Sequence, residues 1–412
     1  MNRIHPIRRR PIGAAVLIVL AIAGCSGNAV TSPSARPAVL TVAPTPTSTA
    51  EVDDTPEPTV APAADLRPGL KVAWTAGGRE FAPHVQTTGM SRLSSGEYLV
   101  FGSALTINGV TTMAASSTDG RTWKPAGSGL DPVPGLTLVA AALRPAVGTV
   151  AVGTVLTNDA ATGSVPARAG VVYLRRPGEG WTRAADQASL KGAEIRGVIA
   201  TADRFVAFGL RADGPAIWSS TDGLRWAAVL TQTGTAADPI SVDGVVAGYA
   251  GLLAYGARGS HATGLWRSID GAMWTEIGPS GLDGILVTGI VSTTNGFVGV
   301  AGYPEPGPTV FRSPDGSHWA PTSAQGPSLN GIVQVENGFV AWNNTVGSTN
   351  ELVMGAHGVW TSLDAVTWIH VNQYEEFYSG GMLVEDRTLI SIGSANDANP
   401  IWIGAISLTP AG

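Results

Sequence analysis

The chain has 412 residues, of which 14% are charged and 44% apolar, with 53 glycines, 28 prolines and a net charge of −6. With no Lys/Arg cluster beyond the N-terminal arginines, this balance argues against a phosphate-neutralising nucleic-acid partner. The lone cysteine, Cys25, excludes an intramolecular disulfide, and the glycine and proline content favours short strands with tight turns over helices.

Residues 1–24 read as an export signal: Arg3, Arg8, Arg9 and Arg10, an apolar run over 14–23, then small residues before Cys25. That run is too short for a good spanning helix. The segment Ile22-Ala23-Gly24-Cys25 resembles a bacterial lipobox. The resemblance implies cleavage before Cys25, lipidation of its thiol and an anchor on the outer face of the bacterial cytoplasmic membrane. An ordinary signal peptide with an incidental cysteine is the alternative. Two or three acyl chains would hold the protein stably, each buried methylene contributing about 0.8 kcal/mol. Residues 25–68 are rich in Pro, Thr, Ser and Ala and predict a disordered tether.

From residue 69 to 412 one unit repeats. Apolar second segments end near positions 102, 153, 209, 256, 302, 343 and 393, steps of 51, 56, 47, 46, 41 and 50. Four short β-rich pieces in a period of about 40–50 predict the blade of a β-propeller. Five units carry the pattern Ser-x-Asp-Gly-x-x-Trp, with Asp119 and Trp123, Asp222 and Trp226, Asp270 and Trp274, Asp315 and Trp319, and Asp364 and Trp368. In the fifth, Ala365 replaces the glycine. The second unit, over residues 175–181, keeps the final Gly180 and Trp181 but no Asp. The last unit has three strand-like pieces, and its fourth is found at the other end, over residues 70–75. The expectation is an all-β, seven-bladed propeller with four-stranded blades, closed by the N-terminal strand completing the last blade. Six and eight blades are the alternatives.

The repeated turn resembles the Asp-box, or bacterial neuraminidase repeat, of sialidase-like propellers, here with the Asp one position nearer the Trp. An Asp in a tight turn accepts nearby backbone N–H groups, and Gly supplies the φ required. Five equivalent acids cannot face one active site, so these Asp and Trp residues are expected to be structural, the Trp opening the outer strand. Sialidases also combine an Arg triad, a Tyr–Glu nucleophile pair and an acid/base Asp. Arg92 and Arg196 stand near the starts of first strands, where triad arginines belong, without a convincing third, and the family's Arg-Ile-Pro motif is absent.

Ligand-binding candidates are Arg92, Arg196 and the linker residues Tyr374, Glu375, Glu376, Phe377 and Tyr378, whose aromatic faces and carboxylates suit a sugar or a cation. The segments 154–170 and 344–358 read as long loops, and His84 is a lone acid/base candidate. The six histidines show no metal-ligand spacing, and no cofactor motif occurs. The reading is a monomeric, lipid-anchored, non-catalytic propeller at the cell envelope that binds a protein or glycan. The alternatives are a sialidase-like glycoside hydrolase acting on extracellular glycans, or an assembly factor for a membrane complex.

Overall fold

The computed structural model describes residues 69–76, 85–106, 109–157, 167–211, 214–232, 240–259, 262–303, 309–322, 328–343, 358–371, 379–385, 387–393 and 401–409. They form seven four-stranded antiparallel sheets, the blades of a propeller. Blade one comprises Val85–Arg92, Tyr98–Thr106, Gly109–Ser117 and Lys124–Pro125. Blade two comprises Leu136–Arg144, Gly148–Thr157, Ala167–Arg175 and Trp181–Arg183. Blade three has Glu194–Ala200, Phe205–Arg211, Gly214–Ser220 and Ala227–Thr231, and blade four Gly244–Gly248, Gly251–Arg258, Ala262–Ser268 and Thr275–Glu276. Blade five has Leu286–Thr293, Gly296–Tyr303, Val310–Ser313 and Ala320–Pro321. Blade six has Gly331–Val335, Gly338–Asn343, Gly358–Ser362 and Ile369–Val371.

Blade seven takes Ser379–Glu385, Thr388–Gly393 and Ile401–Thr409 from the end of the chain and Gly69–Ala76 from its beginning. The closing ladder runs from Gly69 opposite Thr409 to Ala76 opposite Trp402. First strands of successive blades approach one another in a cycle that returns from blade seven to blade one. The predicted blade number and closure are both observed.

Strand alternation explains the core. Phe205 and Ala207 face blade two, while Val206 and Phe208, on the other face of the same strand, meet blade four. Each second strand is thus buried on both sides and reads as a continuous apolar run. Among the described residues, one hydrophobic cluster fills each of the seven blade junctions. Burial of one Val, Leu or Phe side chain is worth about 1.5–3 kcal/mol.

Three expectations are corrected. Gly102, Gly153 and Gly209 do not end their strands, which run on to Thr106, Thr157 and Arg211. Each glycine instead lies at a β-bulge, where the first-strand register skips Thr88, Val139 or Arg196. A Cβ at Gly153 or Gly209 would come within 2.0 or 2.1 Å of a first-strand carbonyl oxygen, so glycine marks close approach there. The long segment 154–170 therefore contains strand at both ends, through Thr157 and from Ala167. Finally, the Trp of each Asp-turn stands one residue before the outer strand.

The Asp-turns share one geometry. In blade one, Asp119 Oδ1 accepts the N–H groups of Arg121 and Thr122 at 2.8 and 2.7 Å, and Ser117 Oγ accepts that of Gly120 at 2.9 Å. Trp123 Nε1 donates to the Gly120 carbonyl at 3.1 Å. Blades three and five repeat these bonds through Asp222 and Asp315, with Trp226 and Trp319 closing the turn. Trp274 and Trp368 make no such bond from Nε1. The turn also reaches the preceding blade. Gly120, at φ +67°, seats on Ile390 of blade seven so closely that a Cβ would come 2.2 Å from its Cδ1. Gly223, Gly271 and Gly316 seat likewise on Val150, Val206 and Leu253.

Gly120→Ala is expected to cost about 2–4 kcal/mol in urea unfolding, from left-handed backbone strain plus collision with Ile390. Gly178→Ala, at the same position of the worn turn with φ +78° and open space around it, should cost only about 1–2 kcal/mol. Backbone N–H bonds from Thr122 first, then Arg121, and the Ser117 hydroxyl hold the Asp119 carboxyl well below the usual range. Its stabilisation is full above the unfolded pKa, about 3.9, and is lost as pH falls toward the folded value. Asp119→Asn should therefore flatten the fall in stability below about pH 4, followed by urea unfolding at each pH.

Candidate functional site

Antiparallel order divides the connections between two rims. First-to-second and third-to-fourth turns share one, the turn rim, which carries the Asp-turns. Second-to-third hairpins and the linkers between blades share the other, the loop rim.

Tyr374, Glu375, Glu376, Phe377 and Tyr378 belong to the linker from Ile369–Val371 to Ser379–Glu385 and lie outside the described residues. So do Cys25, His84 and nearly all of the segment 344–358. The two candidate arginines are described, and they do not converge. Arg196 is the third residue of its first strand, near the loop rim. Arg92 ends its first strand instead of opening it, next to the turn rim, with its guanidinium 5.9 Å from the centre of the Tyr98 ring.

Arg196 is the bulged residue of blade three, and the bulge turns its side chain toward blade four. Its Nη1 pairs with Asp243, and its Nε lies 3.3 Å from Glu194 Oε1. Glu194 Oε2 in turn lies 2.5 Å from Arg168 Nη1 of blade two. Charges thus alternate from blade two through blade three to blade four. Asp243 is fixed further by the Ser241 hydroxyl at 3.0 Å and the Ala257 N–H at 3.2 Å. A substrate carboxylate would have to compete with two carboxylates already on Arg196. Such part-exposed pairs add little stability but orient their side chains. Next to Asp243, Tyr255 is pushed up to about 12, by burial first and by that carboxylate second. Its phenol stays protonated at neutral pH and is no ready nucleophile.

Sequence reasoning missed the bulges as a set. Thr88 donates to the Leu138 carbonyl of blade two at 2.6 Å, and Thr288 to that of Leu329, leading into blade six, at 2.7 Å. With Arg196, they form a row of first-strand residues that each grip the following blade. For Thr88 and Arg196 the signal was the isolated glycine opposite, Gly102 and Gly209, within an apolar run; at Thr288 the residue opposite is Ala301, which gives no such signal.

The turn rim is tied by arginines that cross between blades. Arg175 of blade two meets Glu97 of blade one at 2.9 Å, and Arg387 of blade seven meets Glu336 of blade six at 2.6 Å. Arg204 of blade three lies 3.7 Å from Asp270 of blade four, and Arg312 of blade five donates to the Asp364 carbonyl of blade six. No such roles were legible from spacing.

Among the described residues, no three His, Cys, Asp or Glu side chains gather as a metal site would require. No protein-family model and no curated protein matches the chain. Solved structures do resemble it. A structure of YCF48 bound to D1 peptide has 13% identity and a TM-score of 0.49, with 81% of this chain and 96% of that one covered. The computationally designed Ika8 protein has 10% identity and a TM-score of 0.45, covering 77% and 96%. Trypanosoma rangeli sialidase has 13% identity and a TM-score of 0.42, covering 82% of this chain but 60% of the sialidase. At these identities the likeness is one of fold and assigns neither activity nor ligand.

Proposed function

We propose that this chain is a lipid-anchored, extracytoplasmic propeller that binds an envelope protein or glycan and catalyses no reaction. The observation that carries the reading is the disposition of the two candidate triad arginines. Arg196 is occupied by Glu194 and Asp243, and Arg92 lies toward the opposite rim. The carboxylates of the Asp-turns hold backbone N–H groups of their own turns. What favours binding is a rigid ring carrying variable linkers on one rim, foremost the aromatic and acidic stretch Tyr374 to Tyr378. The partner is taken to meet a monomer, tethered through Cys25 by residues 25–68.

Mass spectrometry of the purified membrane-fraction protein should find an N-terminal peptide that begins at acylated Cys25; an unmodified Cys25 contradicts the anchor. Affinity capture from solubilised membranes with the intact lipoprotein should recover a specific partner. Replacing Tyr374, Phe377 and Tyr378 together with Ser should reduce that recovery at least tenfold, on the order of 1.4 kcal/mol or more, without changing Tm. Turnover of a fluorogenic glycoside by the purified propeller would favour the hydrolase instead.

A further inference from the structure

An arginine socket on the turn rim recurs in a second form. At the end of the first strand of blade two, Arg144 holds its guanidinium 5.5 Å from the centre of the Phe205 ring of blade three. Its Nη1 donates to the Thr221 carbonyl at 2.7 Å, within the Asp-turn of blade three. Its Nη2 donates to the Ala202 carbonyl at 2.8 Å, within that blade's first turn. One ring and two carbonyls therefore hold the cation, with no carboxylate among them.

The same parts stand between blades five and six. Gln334 pairs with Phe339 as Ala200 pairs with Phe205, which puts Glu336 at the place of Ala202 and Phe339 at that of Phe205. Leu363 precedes Asp364 as Thr221 precedes Asp222. The end of the first strand is Thr293, paired with Gly296, where blade two has Arg144 paired with Gly148. With threonine in place of arginine, a cleft of about 410 Å³ opens, bordered by Thr293, Glu336, Phe339 and Leu363. Arg312 also borders it, with its guanidinium engaged by the Asp364 carbonyl, and Glu336 is paired with Arg387.

We propose that this cleft takes the side chain of an arginine presented by a partner protein, its guanidinium stacked on Phe339 and donating to the carbonyls of Glu336 and Leu363. A polypeptide is favoured over a free amino acid by exposed apolar surface on the same rim. Leu363, at the cleft itself, is 39% exposed, and one blade beyond it, on blade four, Tyr249, Ile269 and Met273 are 79%, 89% and 80% exposed. This site lies on the rim opposite the linkers invoked above and goes beyond that reading.

The test titrates the full chain with N-acetyl-arginine methylamide by ligand-observed NMR, against the capped citrulline of the same shape without charge. Arginine should bind at least tenfold more tightly than citrulline, and Thr293→Arg should abolish that binding by filling the cleft as Arg144 fills its own. Phe339→Leu, which keeps an apolar side chain in the junction, should weaken arginine at least threefold and serves if Thr293→Arg does not fold. Absence of arginine binding, equal affinity for arginine and citrulline, or undiminished binding by either folded variant overturns the proposal.

Discussion

No blade of this protein can bury its own second strand. Phe205, Val206, Ala207 and Phe208 are consecutive and all buried, and their side chains alternate between two junctions. A strand of that kind needs a neighbour on either side, so the ring is a condition of each blade's stability. The demand extends to the ends of the chain. Blade seven would leave blade six open without Leu70 and Val72, which join Val335 and Val340 in a shared cluster. N-terminal and C-terminal strands must therefore meet in one sheet.

The junctions show three solutions to the same contact. Where an Asp-turn is complete, its left-handed glycine brings backbone directly against the previous blade, as Gly120 does against Ile390. Ala365 takes that place in blade six at φ 51°, fully buried, so its methyl group packs there despite the strain. Blade two lacks the Asp, and its junction uses the Arg175–Glu97 pair, with Trp181 Nε1 donating to the Ala126 carbonyl at 2.7 Å. Blade seven has no Asp-turn, and Leu70 stands against blade six, its carbonyl held by the Thr361 hydroxyl at 2.9 Å. Blades two and seven, which lack the Asp-turn, are held to the preceding blade by these other residues.

Blade number and closure were legible because they follow from spacing. A repeat of about 40–50 residues and a missing fourth strand leave few arrangements. The Asp-turns were legible because Asp, Gly and Trp act within seven residues of one another. What spacing does not carry is contact between distant segments. Arg196 looked available for a substrate because nothing in its own strand reveals Asp243, forty-seven residues on. Arg92 was assigned to the wrong end of its strand because the strand extends back to Val85. The glycines at 102, 153 and 209 were seen but misread, since close approach at a bulge and the end of a strand share one sequence signal. Arginine placement across junctions left no local pattern at all.

The frame and the candidate binding surfaces thus separate. Many charged side chains are occupied in holding turns or bridging blades, which leaves the linkers of one rim and the cleft between blades five and six as the places to seek ligands. All of this presumes that the ring behaves as one closed unit. Amide hydrogen exchange along Gly69–Ala76 tests that most directly. The account predicts that the amides of this outer strand that bond to Ile401–Thr409 exchange as slowly as those of Phe205–Arg211, opening only when the whole propeller unfolds. Fast exchange of those bonded amides, with the other blades still protected, would contradict it.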